Sequence, residues 1–165
     1  METTPRLGLP YILQSQSQKE VTHNEALNAI DAVLQPLIET ASLAAPPLDA
    51  VEGGLWIVGE GATDEWAGED GMLAQRLGGT WVFLMPPEGF AGWLKDAAVT
   101  VRRLGSGWET GVVKALRVEI GGAAVLGPRQ GAVADAAGGV TIDSEARAAL
   151  NALLAACRAH GLISS

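Results

Sequence analysis

At 165 residues, with a net charge of −8, 48% hydrophobic and 18% charged residues, the chain is neither disordered in composition nor built to grip DNA, which takes clustered Lys and Arg to displace counterions. Its single Cys157 excludes an internal disulfide, and one Cys with two His leaves no Cys/His zinc site within one chain. The length fits one domain or two small modules. With two Phe, one Tyr and five Trp, much of the apolar count is Ala and Val, so a modest core supplemented by subunit contacts is expected.

The chain opens with an extended segment in which Pro10 fixes its own φ and pushes Leu9 towards an extended conformation. A polar run from Gln14 to Glu20 follows. Thr22 and Glu25 then read as a capping box. Beyond it Leu27, Ile30, Leu34, Leu37 and Ala41 recur in steps of three and four, the seam of a helix that packs against another helix. Pro36 is expected to kink that helix or end it early. Pro46-Pro47 marks a module boundary, and the expected modules are 1–45, 46–127 and 128–165.

From Leu48 to Trp108, β-branched and aromatic runs stand between glycine turns and read as an antiparallel meander. Leu55 to Val58, Met72 to Ala74 and Trp81 to Met85 are strands. The last is apolar on both faces and is expected to be covered on both. Phe90 to Leu94 and Val99 to Val101 continue the meander. Leu116, Val118 and Ile120 alternate with polar or small residues, and Gly121-Gly122 supplies a two-residue hairpin turn before Ala123 to Leu126. Asp143 reads as the N-cap of an Ala-rich helix running to about Ala159, with Gly161 after its end. Its seam is Ala146, Leu150, Leu153, Cys157 and His160, with Cys157 expected as a buried thiol. The fold class is therefore α+β: an extended segment and helix, a Trp-containing β module, and a C-terminal helix.

The run LGLPYILQSQSQKEVTHNEALNAIDAVLQ, with its PYI start, Q-x-Q-K core and V-T-H-N-E-A-L segment, resembles the opening of a domain family of unknown function in fibre and spike proteins of tailed phages and gene transfer agents. The WIVGEGATDEWAG and GGTWVFLMPPEGFAGW segments and the tail from Val125 to Ile163 resemble the same family. The resemblance implies a virion-associated structural role and supplies no catalytic set. On it, Leu9, Pro10, Tyr11, Ile12, Gln16, Gln18, Lys19, His23 and Asn24 are expected to dock on the particle or a partner. Leu27, Ile30, Leu34, Leu37, Leu150, Leu153 and Cys157 form the expected oligomer seam.

Reactive constellations are sparse. The P-loop, H-E-x-x-H and G-x-S-x-G patterns are missing. His23 beside Glu20 and Glu25 reads as a helix-start or inter-subunit residue rather than a general base. Cys157 and His160 share a helical face without a third orienting group. Asp64, Glu65, Glu69 and Asp70 surround Trp66. They read as solvated turn acids before a calcium loop or a glycosidase pair. Trp66, Trp93 and Trp108 are an alternative sugar platform, since an indole offers a flat apolar face with one polar handle, although tryptophans in so small a domain are first of all core.

The expected protein is a non-enzymatic spike or fibre base of a phage-like particle, with no cofactor and no metal. It would form a trimer or pentamer and bind a capsid or baseplate protein and a second fibre or spike protein. The alternative is a surface module that binds host polysaccharide. Neither nucleic acid nor membrane is an expected partner. With no leader pattern and no apolar run of ~20 residues, synthesis in the cytoplasm and release in a particle by lysis are expected.

Overall fold

The computed structural model describes residues 3–12, 19–141 and 143–164. The chain divides into two units, Met1–Val112 and Val113–Ser165, and its fold is α+β. The first unit runs α1 (Lys19–Val33), β1 (Leu37–Ile38), β2 (Leu55–Ile57), a 3-10 turn (Asp64–Trp66), β3 (Leu73–Leu77), β4 (Thr80–Leu84), β5 (Ala91–Leu94), β6 (Val99–Leu104) and β7 (Gly107–Thr110). The second holds β8 (Val118–Ile120), β9 (Ala123–Leu126) and α2 (Ser144–Ala159).

Helix α1 differs from expectation at both ends. It starts at Lys19, so Thr22 and Glu25 lie inside it rather than at its start. It stops at Val33, because Pro36 offers no N–H to continue it and Gln35 turns to a φ of 52°. Leu37 therefore leaves the expected helical seam and enters β1, which pairs parallel with β5 in the register Leu37–Trp93 and Ile38–Leu94. That pairing crosses the boundary expected near residue 45.

Two sheets make the first unit, one ordered β1-β5-β6-β7 and the other β2-β3-β4. Strict alternation sorts the second sheet into two faces. Leu55, Ile57 and Leu73 on one face join Ile38, Leu94 and Val101 of the first sheet and Ala32 of α1 in one buried cluster. Trp56 and Ala74 on the other face join Val58 and Trp66, with Trp81 and Phe83 packed against them. β4 thus serves a core on each side, as its doubly apolar sequence requires. The rings of Trp56 and Trp66 meet Trp81 edge-on at 5.3 and 5.0 Å, the geometry that suits the ring quadrupole.

In the second unit the β8–β9 hairpin turns through Gly121 and Gly122, with φ of 58° and 81°, values a side chain would resist. Helix α2 begins where Asp143 accepts the Ala146 N–H at 2.8 Å, and Gly161 follows its end with φ of 70°. None of the described residues of this unit is buried. Cys157, expected as a buried thiol, is only half-buried. Among the described residues no helix is long and apolar enough to cross a membrane.

Candidate functional site

The N-terminal residues fold back onto α1 through one carboxylate. Asp31 is fully buried and accepts from the Thr4 hydroxyl at 2.8 Å, the Leu7 N–H at 2.6 Å and the Arg6 N–H at 3.1 Å. The Arg6 guanidinium donates to the carbonyls of Asp31, Ala32 and Gln35 at 2.8, 2.9 and 3.0 Å. It thereby satisfies helix-end acceptors that otherwise have no partner. Burial lowers its pKa, opposed by Asp31 and Glu39, yet a guanidinium stays charged. Further along, the Tyr11 hydroxyl bonds Asn28. Asn24 exchanges two bonds with the Ile12 backbone, at 3.0 and 3.2 Å. Burial raises the Tyr11 pKa, with the Asn28 bond acting against it.

This clasp sets one wall of a groove of about 810 Å³, lined by Arg6, Leu7, residues 35–37 with Glu39, residues 51–54, residues 91–93 and Thr100. The groove forms where two segments part. Glu39 N–H bonds Leu55 O at 2.8 Å and Ile57 N–H bonds Thr40 O at 3.1 Å. Upstream, the Gly53 N–H turns instead to Arg76 O at 2.7 Å. The floor needs a glycine, because a Cβ at Gly92 would stand 2.9 Å from Ile38 Cδ1 and 3.2 Å from Pro36 O.

The charged groups at the rim are already engaged, Arg6 in the clasp and both carboxylates in bonds of their own. Glu39 pairs with Lys95, and Glu52 accepts the Gly78 N–H at 2.7 Å. What the groove offers is apolar and exposed: Leu7, Leu37, Val51 and Trp93, the last 46% exposed. Among the described residues no His, Cys or Ser lines it, so its lining chemistry suits contact with a flat, partly apolar surface.

The expected sugar platform does not assemble. Trp66 is fully buried and cannot present a face. Trp93 pairs with Thr100 and Trp108 with Arg103, an odd offset along β6 that puts the two indoles on opposite faces of the sheet. Trp108 packs edge-on to Phe90, lies under the Arg103 guanidinium and donates to Gly71 O at 2.8 Å. Trp93 alone is free to stack.

Of the expected docking residues, Gln16 and Gln18 lie outside the described residues. Tyr11, Ile12 and Asn24 spend their hydrogen bonds inside the chain, and His23 is exposed on α1. Of the expected seam, Leu27 is half-buried, while Ile30, Leu34, Leu37, Leu150 and Leu153 are exposed. In the acidic turn Asp70 accepts the Ala62 and Gly61 N–H groups, each at 2.9 Å, and these hold its carboxyl below the usual range, Ala62 foremost. Glu65 accepts the Trp81 indole N–H at 3.2 Å. Among the described residues no group of three His, Cys, Asp or Glu could hold a metal ion. Sequence reasoning missed the Asp31 clasp and β1. The available signal was a carboxylate set between the apolar residues Ile30 and Ala32.

A family model described as a protein of unknown function (DUF2793) matches residues 23–109, more than half of the chain and wholly within the first unit. No curated protein matches the chain.

Proposed function

The chain belongs to the DUF2793 family of proteins of unknown function, and we propose that it is a non-enzymatic structural subunit of a phage-like particle, a gene transfer agent or prophage. In this reading it is the base or adaptor of a head spike or tail fibre. It docks on the capsid or baseplate, joins copies of itself and carries a second fibre protein that meets the host. The particle part rests on the resemblance of the segment from Leu7 to Gln35.

The subunit part rests on one observation. Residues 113–165 contain no buried residue among those described, while eleven large apolar side chains there are exposed. A unit of this size without a core does not offset its chain entropy, and a two-stranded hairpin alone is marginal. Such a unit is completed by association. Sedimentation of the full chain and antibody labelling of purified particles test the reading. A stable monomer with a cooperatively folded second unit, or unlabelled particles, would overturn it.

A second reading is favoured by Trp93, an exposed indole on the wall of an open groove. There the protein holds a host surface polysaccharide, one sugar ring stacked on Trp93. Indole fluorescence titrated with capsule polysaccharide would respond in the native chain and not in Trp93→Ala. No response to any polysaccharide would remove this reading.

A further inference from the structure

Helix α2 is held by its polar flank. Residues 130–138 run antiparallel along it. Arg147 donates to Gly138 O, Asn151 accepts the Ala136 N–H at 2.8 Å, and Arg158 pairs with Asp135 at 2.7 Å and donates to Val133 O. Beyond the helix, Gln130 N–H bonds Leu162 O at 3.2 Å and Ser164 N–H bonds Gln130 O at 2.9 Å. Arg147, Asn151, Leu154 and Arg158 fall on one flank of a 3.6-residue helix and are half-buried, so that flank covers one leucine among three polar residues. The arc carrying Ala146, Ala149, Leu150, Leu153 and Ala156 is left exposed. A helix of a self-sufficient domain does the reverse, burying its apolar stripe and wetting its polar one.

We infer that this arc is the surface on which a second copy of the chain docks, α2 against α2. The inference deepens the reading of the protein as an associating subunit and does not depend on its place in a particle. Spacing points to the occupant: Ala146, Leu150, Leu153 and Cys157 step by four, three and four, the seam that a helix of the same period fits.

Charge points the same way. The charged residues of α2 are Glu145, Arg147 and Arg158, and both arginines are tied to residues 133–138, so the arc itself is neutral. Residues 113–165 hold five basic and four acidic side chains. Residues 1–112 therefore carry all of the acidic excess, with 6 basic and 15 acidic side chains for a net charge of −9, and there copies repel one another. Here two copies meet without that repulsion, and a strongly charged foreign partner gains nothing. A helix pair about 24 Å long falls short of the ~800 Å² per partner of a stable interface. The exposed Val118, Ile120, Val125 and Leu126 of the hairpin supply further apolar area.

The test uses the full chain. Sedimentation is expected to give a multiple of the 17.0 kDa monomer, Leu153→Glu to return it to monomer, and Ala148→Glu, away from the seam, to leave it assembled. Because Leu153→Glu also risks unfolding the unit, a second set keeps apolar character. In a Cys157→Ser background, a Leu150→Cys/Leu153→Cys chain is expected to form disulfide-linked copies on mild oxidation and Ala148→Cys to form none. In a parallel pair residue 153 meets its equivalent, and in an antiparallel pair centred on the seam it meets residue 150 of the second copy, so the doubly substituted chain covers both arrangements. A monomeric native chain, or equal cross-linking of both variants, would overturn the inference. Assembled chains absent from particles would sink the particle reading and leave this one standing.

Discussion

The Thr4 hydroxyl donates to the buried Asp31 carboxylate at 2.8 Å and, through the same oxygen, accepts the Leu9 N–H at 2.9 Å. One side chain thus ties the N-terminal turn to itself and to α1. Asp31→Ala strands three donors, and since hydrogen bonds to charged groups are each worth about 1.5–3 kcal/mol, a loss of about 3 kcal/mol or more is expected. Thr4→Val should cost about 1 kcal/mol. Urea denaturation midpoints check both, and equal losses from the two changes would contradict the carboxylate's central role.

Gly92 stands where β1 crosses the floor of the groove. Gly92→Ala drives a methyl to 2.9 Å from Ile38 Cδ1 and 3.2 Å from a backbone oxygen. Overpacking of this kind costs about 1–3 kcal/mol. A change below a few tenths in thermal or urea stability would show that the floor yields.

Buried Trp66 and half-exposed Trp93 should behave oppositely. Trp66→Ala empties a core site and is expected to cost about 3–5 kcal/mol, whereas Trp93→Ala should cost about 1 kcal/mol or less. Iodide quenching of indole fluorescence is expected to fall most in Trp93→Phe.

Asp70 gives a pH signature. Its folded pKa lies below the usual carboxylate value because the Ala62 and Gly61 N–H groups favour the ionised form. Its stabilisation is therefore fully present above the ordinary carboxylate range and is lost as the pH falls through the lowered value. Asp70→Asn should flatten the acid limb of a stability–pH curve; an unchanged limb would refute the assignment.

Gln75 is fully buried, and neither atom of its side-chain amide has a hydrogen-bond partner among the described residues. An orphaned buried polar group costs about 1–3 kcal/mol. Gln75→Leu, facing Leu55 and Val82 across the sheet, is expected to raise the denaturation midpoint.

Local patterns in the sequence were reliable where the structure they specify is local. Gly121-Gly122, Asp143 and Gly161 each act through backbone geometry within a few residues, and the turn, cap and helix end lie where those residues put them. The doubly apolar run from Trp81 to Met85 also revealed its two cores, although β4 ends at Leu84 and Met85 is exposed. One local reading fails, since α1 already runs from Lys19 and holds Thr22 and Glu25 inside it; the other misses are long-range. Leu37 and Ile38 carry the helical spacing of the residues before them, but Pro36 and the pairing with Trp93 and Leu94 override it. Asp31 interrupts an apolar stripe, and its partners Thr4, Arg6 and Leu7 lie in a segment with no periodicity to announce them. The groove arises from the meeting of those two misread parts. Trp66, Trp93 and Trp108 are alike in sequence; a 3-10 turn folds Trp66 into the core, and strand register puts Trp93 and Trp108 on opposite faces.

The parallel β1–β5 pair has a kinetic consequence. A ladder between distant stretches forms only after the intervening loop has closed, so Leu37 and Ile38 wait, during synthesis, until Leu94 has left the ribosome. Until then the β2–β4 hairpins can form while the groove wall has no strand to lean on. Chains interrupted before Ala91 should therefore expose an unfinished edge and attract chaperones or clump, and ribosome-stalled nascent chains of graded length would register that late closing.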